Sequence, residues 1–187
     1  MDEPFLLLLS GPPGAGKTTV GRIVASKSSR SACIQSDWFW TTIVNGHVPP
    51  WEAIADGQNQ VMIRSALATA VRMAEGGYST VLEGVIGPWY FDLVRDELAS
   101  CSVGVSYVVL RPDVDACLAR ATGRVADGPE HRHALTDVGP IRHMWNEFAH
   151  LGDHERFVVD SSRLEPAETA DRVCERLRDG HNSMSIG

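Results

Sequence analysis

The chain has 187 residues, 43% of them hydrophobic and 22% charged, and a net charge of −7. That length suits one domain around a single sizeable core, and the acidic balance argues against a general nucleic-acid binder, which needs a broadly basic face. Four cysteines (Cys33, Cys101, Cys117, Cys174) are scattered without a C-x-x-C pair. Neither a zinc site nor a disulfide framework is therefore indicated, and a reducing cytoplasm is the expected setting.

The first apolar run, Phe5-Leu6-Leu7-Leu8-Leu9, has the length of a buried strand. Asp2 and Glu3 stand where a secretory leader would be basic, so the run is not read as a leader, and no stretch approaches the length of a membrane span. The run passes straight into Gly11-Pro12-Pro13-Gly14-Ala15-Gly16-Lys17-Thr18, a complete G-x-x-x-x-G-K-T loop, and Thr19 to Ala25 reads as the start of a helix. Strand, loop and helix in that order give the motif its mechanism. Backbone N–H groups of such a loop converge on phosphate oxygens, and the helix N-terminus adds a favourable partial charge. Gly11, Gly14 and Gly16 permit positive φ and close approach of the phosphates. Pro13 and Ala15 complete the expected nucleotide-binding loop. Lys17 is expected to reach the β- and γ-phosphates, the Thr18 hydroxyl to ligate Mg2+, and Thr19 to contact a more internal phosphate.

Strand-like and helix-like stretches then alternate, the pattern of an α/β domain on a parallel sheet. Ala32-Cys33-Ile34-Gln35 reads as the second strand, ending at Ser36-Asp37, with a short helix over Trp38 to Val44 and a Gly-Pro loop through Pro50. A long helix is expected from Trp51 to Ala74, burying Val61, Ala68 and Val71 and ending at Gly76-Gly77. Ser79 to Leu82 is the third strand, with Glu83-Gly84 its exit, and Pro88 fits the first turn of a further helix to about Ala99. Val103 to Leu110 is the fourth strand, and Pro112 opens a helix carrying Val114, Cys117 and Leu118. Gly123 to His133 is polar and turn-rich, which suggests a mobile lid. Ala134 to His150 contains a helix on which Met144, Trp145 and Phe148 have core spacing. Arg156 to Val159 is the fifth strand, and Glu165 to Leu177 the closing helix. The stretch from Asp179 to Gly187 has too little apolar content to hold itself down and is expected to fray.

In an open parallel sheet, ligands gather beyond the carboxyl ends of the strands. Asp37, Glu83 and Asp160 fall there. Asp37 would face the phosphate loop, where a carboxylate can take the proton of an attacking substrate hydroxyl; alternatively, it or Ser36 caps the following helix. Glu83 is a candidate for holding Mg2+ through water or for binding substrate. Asp160 is read as structural, with Ser161-Ser162-Arg163 and Pro166 near the nucleotide base and Ser162 in contact with it. Arg120 and Arg124 lie four apart on one expected helix face and, with Arg132 in the lid, are candidates for stabilising a migrating phosphoryl group; Arg142 is a weaker one. The histidines at 131, 133, 143, 150 and 154 complete no recognised ligand set. Trp38, Trp40, Trp51, Trp89 and Tyr90 fall near the expected cleft and could stack on a ring-bearing substrate.

The phosphate loop, the Ser36-Asp37 exit, the Arg120-x-x-x-Arg124 pair and the Val159-Asp160-Ser161-Ser162 ending resemble those of small P-loop kinases of the shikimate/gluconate kinase and nucleotide monophosphate kinase type. The chloramphenicol phosphotransferase-like group is the most similar of these. The resemblance implies Asp37 as catalytic base and places the arginine pair with the lid. The third strand exits through Leu82-Glu83-Gly84-Val85-Ile86-Gly87, without the paired aspartates of chloramphenicol phosphotransferase or the D-G-x-P-R segment of adenylate kinases. Neither N-K-x-D nor D-x-x-G is present, which disfavours a GTPase.

The expected fold is thus α/β: a P-loop NTPase three-layer sandwich with a five-stranded parallel sheet. A single domain spans 1–178, with a lid at about 123–133 and a flexible 179–187 tail. The expected activity is ATP- and Mg2+-dependent transfer of the γ-phosphoryl group to a hydroxyl of a small molecule, such as an antibiotic or nucleoside-like natural product. Acceptor would lie between Asp37, the Trp38–Trp51 segment and the Glu83–Tyr90 loop, with Trp89 and Arg132 in contact. Neither nucleic acid nor membrane is an expected partner. The alternatives are a nucleotide or nucleoside kinase and a nucleotide-switched binding protein.

Overall fold

The computed structural model describes residues 3–123, 135–180 and 183–184. Strand β1 (Leu6–Ser10) forms the middle of a five-stranded sheet of order β2-β3-β1-β4-β5, parallel at every pairing. The other strands are β2 (Ser31–Gln35), β3 (Ser79–Glu83), β4 (Val105–Leu110) and β5 (Val158–Val159). A run of leucines without alternation makes sense only in a strand covered on both faces. Leu6 and Leu8 pack with Ile63 and Leu67 of α3 (Asp56–Glu75) and with Val94 of α4 (Phe91–Leu98). Leu7 and Leu9 pack with Val20 and Val24 of α1 (Lys17–Ser26) and Val173 of α7 (Pro166–Arg178). Each fully buried leucine contributes about 1.5–3 kcal/mol. The result is the three-layer α/β sandwich expected from the alternation of elements. Of three further helices, α2 (Asp37–Thr41), α5 (Val114–Thr122) and α6 (Val138–Ala149), α2 and α6 line the cleft described below. Among the described residues, no helix is long and apolar enough to cross a membrane.

Several expectations need correction. Helix α3 starts at Asp56, not Trp51, because Pro49-Pro50 lead into tight turns: Glu52 N donates to the Pro49 carbonyl and Ala55 N to that of Glu52. It buries Asn59, Ile63, Ala66, Leu67, Ala70, Val71 and Ala74, while Val61 is 56% exposed and Ala68 is also exposed. The buried set advances by three and four residues, and Val61 and Ala68 fall on its far side. The helix stops where expected: Tyr78 N bonds the Met73 carbonyl and Gly77 N that of Ala74, with Gly77 at φ 87°, a glycine-terminated end. Helix α5 begins at Val114 rather than Pro112, because the Asp113 side chain caps it by accepting from Ala116 N at 2.8 Å. It ends at Thr122. Arg124, Arg132, His131, His133 and the expected lid from 124 onward lie outside the described residues.

Strand β5 keeps only two residues, because Gly152–Phe157 winds into a 3₁₀ turn ahead of it. Its pairing reaches only Val109 and Leu110 of β4. Further back along β4, Ser183 and Met184, in the stretch expected to fray, are held: Ser183 bridges Ser106 and Met184 N donates to the Val105 carbonyl at 3.1 Å.

Arg111, just past β4, ties α6 to this turn. Its guanidinium donates to the Phe148 and Ala149 carbonyls and to both Glu155 carboxylate oxygens, at 2.9 and 2.8 Å. The Arg111 bonds, and after them the Leu151 N–H, lower the Glu155 carboxyl from an ordinary 4.5 to about 2. A carboxyl depressed in the folded state contributes stability that is complete above 4.5 and lost as the pH falls towards about 2. Solvent exposure of the pair keeps its size small. Glu155→Gln should therefore lower stability at neutral pH and flatten the acid loss across that window, as read by urea unfolding at successive pH values.

Candidate active site

The loop between β1 and α1 turns through Gly11, Gly14 and Gly16, at φ 141°, 81° and 92°. Gly14 is pressed against α5: a Cβ there would lie 2.2 Å from the Cys117 carbonyl oxygen. A left-handed φ alone costs an L-residue roughly 1–2 kcal/mol. Gly14→Ala is accordingly expected to lose about 2–4 kcal/mol of stability, strain and overpacking combined, and to abolish nucleotide binding. Thermal unfolding and titration with a fluorescent ATP analogue check both.

Gly16 stands at the N-cap of α1 with no side chain to satisfy the first N–H groups. A phosphate is the natural partner of such an uncapped helix start. Lys17 is buried, and its Nζ folds across the loop to the Gly11 and Pro12 carbonyls at 2.8 and 3.0 Å. Ala15 is buried beneath the loop, Pro13 lies at its surface facing the cleft, and Thr19 is exposed on α1. The Thr18 hydroxyl donates to Glu83 Oε1 at 2.7 Å. Glu83, at the end of β3, is only 5% exposed. A hydroxyl and a carboxylate in contact at a phosphate loop are the hard oxygen donors that Mg2+ takes, its other positions filled by phosphates and water.

The strand ends are laced together. Ser36 N donates to the Glu83 carbonyl at 2.8 Å and Gly84 N to that of Leu9 at 3.2 Å. This brings Lys17, Thr18, Asp37 and Glu83 onto one cleft of about 900 Å³. Asp37 opens α2 on its rim, and no side-chain bond caps that helix, so the capping role open in sequence is not the one it takes.

Beyond Asp37 the cleft wall is aromatic. Trp40 Nε1 donates to Asn59 Oδ1 at 3.0 Å, and Asn59 Nδ2 to the Pro50 carbonyl at 2.7 Å. Gln58 holds Val48 by two further bonds, to its N–H and from its own amide to the carbonyl, at 2.8 and 2.7 Å. The Trp51 and Trp89 rings also line the cleft. The loop bearing Trp89 is fastened from below: the buried Tyr107 hydroxyl donates to the Ile86 carbonyl at 2.7 Å, and Ile86 N to Ser10 Oγ at 3.1 Å. Burial raises the pKa of Tyr107, keeping it a neutral donor. Trp89 meets Phe148 of α6 edge-on, ring centres 5.2 Å apart.

No family model matches the sequence, and no curated protein does. Among solved structures, an unliganded sugar kinase from Janibacter sp. HTCC2649 superposes with a TM-score of 0.68 at 20% identity, covering 94% of this chain and 95% of its own. A shikimate kinase from Bacteroides thetaiotaomicron gives 0.65 at 19% identity, covering 93% and 98%. The Deinococcus radiodurans tunicamycin resistance protein gives 0.64 at 16%, covering 98% and 99%. The fold is that of the small P-loop kinases. It is shared by proteins named for different substrates, and at these identities the likeness is one of fold alone.

Not all expected site residues meet in the cleft. Trp38 is 50% exposed and does not line it; its neighbour Trp40 does. Arg120 reaches the Ser161 carbonyl at 3.3 Å, beside the segment where Ser162 bonds Asp113 N and Asp160. The Ser162 bonds to Asp160 hold its carboxyl below its ordinary range, and the carboxylate that Thr18 bonds is that of Glu83. Ser162 and Asp160 border a separate, smaller depression. Sequence reasoning missed Asn59, Asp137 and Glu147 and assigned Met144 to the core, whereas all four line the cleft. Phe148 is core as expected, and Trp145 donates to the Pro112 carbonyl. Asn59 carries a signal in retrospect: it is a polar residue in phase with the buried face of α3.

Proposed function

We propose that this protein is an ATP- and Mg2+-dependent phosphotransferase that moves the γ-phosphoryl group to a hydroxyl of a small molecule. The observation that carries this reading is the single cleft in which Lys17 and Thr18 of the phosphate loop share a wall with Asp37 and an aromatic lobe. Lys17 would exchange its two loop carbonyls for phosphate oxygens. Thr18 and Glu83 would hold Mg2+, which when bound offsets charge on the phosphates. Asp37 would accept the proton of the acceptor hydroxyl as its oxygen attacks, leaving ADP and a phosphorylated product. Arg120 and Ser162 would border the nucleotide from the α5 side.

The test is ADP release from Mg-ATP across a panel of antibiotics, nucleosides, sugars and polyols. The likeness to a structure named for tunicamycin resistance places antibiotics first on that panel. Stimulated release with a phosphorylated product supports the reading. Tight ATP binding without stimulation by any class, together with a protein partner retained only in ATP, would replace it with a nucleotide-switched binding protein.

A further inference from the structure

The acceptor half of the cleft has a one-sided charge. Among its described lining residues the one lysine or arginine is Lys17, which belongs to the phosphate loop. Away from that loop and its Glu83 partner, the described lining carries the carboxylates of Asp37, Asp137 and Glu147, with the imidazoles of His47 and His143 as its other titratable groups. Asp137 heads α6 with its backbone carbonyl, which accepts from Ile141 N, but its side chain makes no capping bond. Glu147 lies on the same helix and is exposed, as Asp137 is.

The aromatic lobe beside these carboxylates is built in advance. Asn59 is only 7% exposed and serves Trp40, the Pro50 carbonyl and the Tyr90 hydroxyl together, so the rings are oriented before any ligand arrives. Fixed rings favour a flat or apolar body at little ordering cost. Indole faces also attract cations. An anionic group placed beside Asp137 and Glu147 would meet those carboxylates and, among the described lining residues, no lysine or arginine outside the phosphate loop, which is the repulsive half of specificity.

We propose that the acceptor is a ring-bearing alcohol that carries a protonated amine and no phosphate, sulfate or carboxylate, with its ring on the Trp40–Trp89 lobe and its ammonium towards Asp137 and Glu147. The word acceptor rests on the kinase reading above; the charge selectivity of the cleft does not.

The test uses three matched probes on the full chain with a non-hydrolysable ATP analogue and Mg2+: 4-(aminomethyl)benzyl alcohol, 4-methylbenzyl alcohol and 4-(hydroxymethyl)benzoate. Binding is read by ligand-observed NMR titration. The amine is expected to bind at least about tenfold more tightly than the carboxylate, with the methyl compound between them. Asp137→Asn with Glu147→Gln should close the gap between amine and methyl compound while leaving the methyl compound's affinity unchanged. Both substituted residues are exposed, and the methyl compound reports whether the cleft is intact. Equal or tighter binding of the carboxylate, a gap that survives the double substitution, or no saturable binding of any probe overturns the proposal. The expected order without ADP release in a parallel assay would instead leave the charge selectivity standing and sink the kinase reading.

Discussion

Asp37→Asn is expected to reduce acceptor-dependent ADP release by about 10²- to 10⁴-fold, the range that a positioned general base supplies. Affinity for ATP should remain nearly unchanged. Asparagine keeps the shape of the side chain and one oxygen but cannot take the hydroxyl proton. The residue stands on α2, outside the β1–α1 loop, while Lys17 Nζ bonds the Gly11 and Pro12 carbonyls and the Thr18 hydroxyl bonds Glu83. Stability should fall only by the loss of one acidic residue from a first helical turn, about 0.3–1 kcal/mol. A purely structural role for Asp37 makes the opposite forecast: turnover kept and melting temperature lowered. Steady-state kinetics, nucleotide titration and thermal unfolding on one preparation separate the two. Retained turnover would remove Asp37 from the mechanism.

The phosphate loop was readable because everything that defines it is contiguous. A doubly covered strand, three glycines and a helix start follow one another within a few residues, and no distant contact is needed to call the motif. Asp37 and Glu83 were readable one level up, from the rule that strand exits face ligands. What escaped depends on contacts between segments far apart in sequence. Which tryptophan of the Trp38-Phe39-Trp40 run enters the cleft is set by the rotation of a five-residue helix, and Asn59 of α3 fixes that rotation. The core face of α3 was read only in part, Val71 being buried as expected, because alanines and valines occupy both sides of it and hydrophobicity alone carries little phase information; Val61 and Ala68 are on the wet side. Met144 and Phe148 share core-like spacing, yet only Phe148 is fully buried, because Trp89 packs edge-on against it while Met144 lines the cleft. The strand order, with β3 rather than β2 beside β1, is likewise a matter of which helices cross where.

Glu83→Gln is the substitution that separates a metal-holding carboxylate from a merely structural one. Its Oε1 accepts the Thr18 hydroxyl at 2.7 Å, and a glutamine carbonyl oxygen can accept the same bond, so the strand ends should stay laced and the fold intact. What the substitution removes is the negative charge beside the hydroxyl assigned to Mg2+. Groups that orient or support a metal's ligands typically cost 10–100-fold in metal affinity or activity when replaced, so the Mg2+ concentration for half-maximal ADP release should rise by about that factor. Saturating Mg2+ should recover much of the rate, because Lys17 and the loop amides remain. Glu83→Ala differs in kind: it removes the carboxylate that accepts the Thr18 hydroxyl and opens a buried space, so a drop in melting temperature should accompany the kinetic loss. If glutamine leaves the Mg2+ dependence where it was and alanine alone is damaging, Glu83 is a brace for the phosphate loop and the metal is held by Thr18 and the phosphates without it.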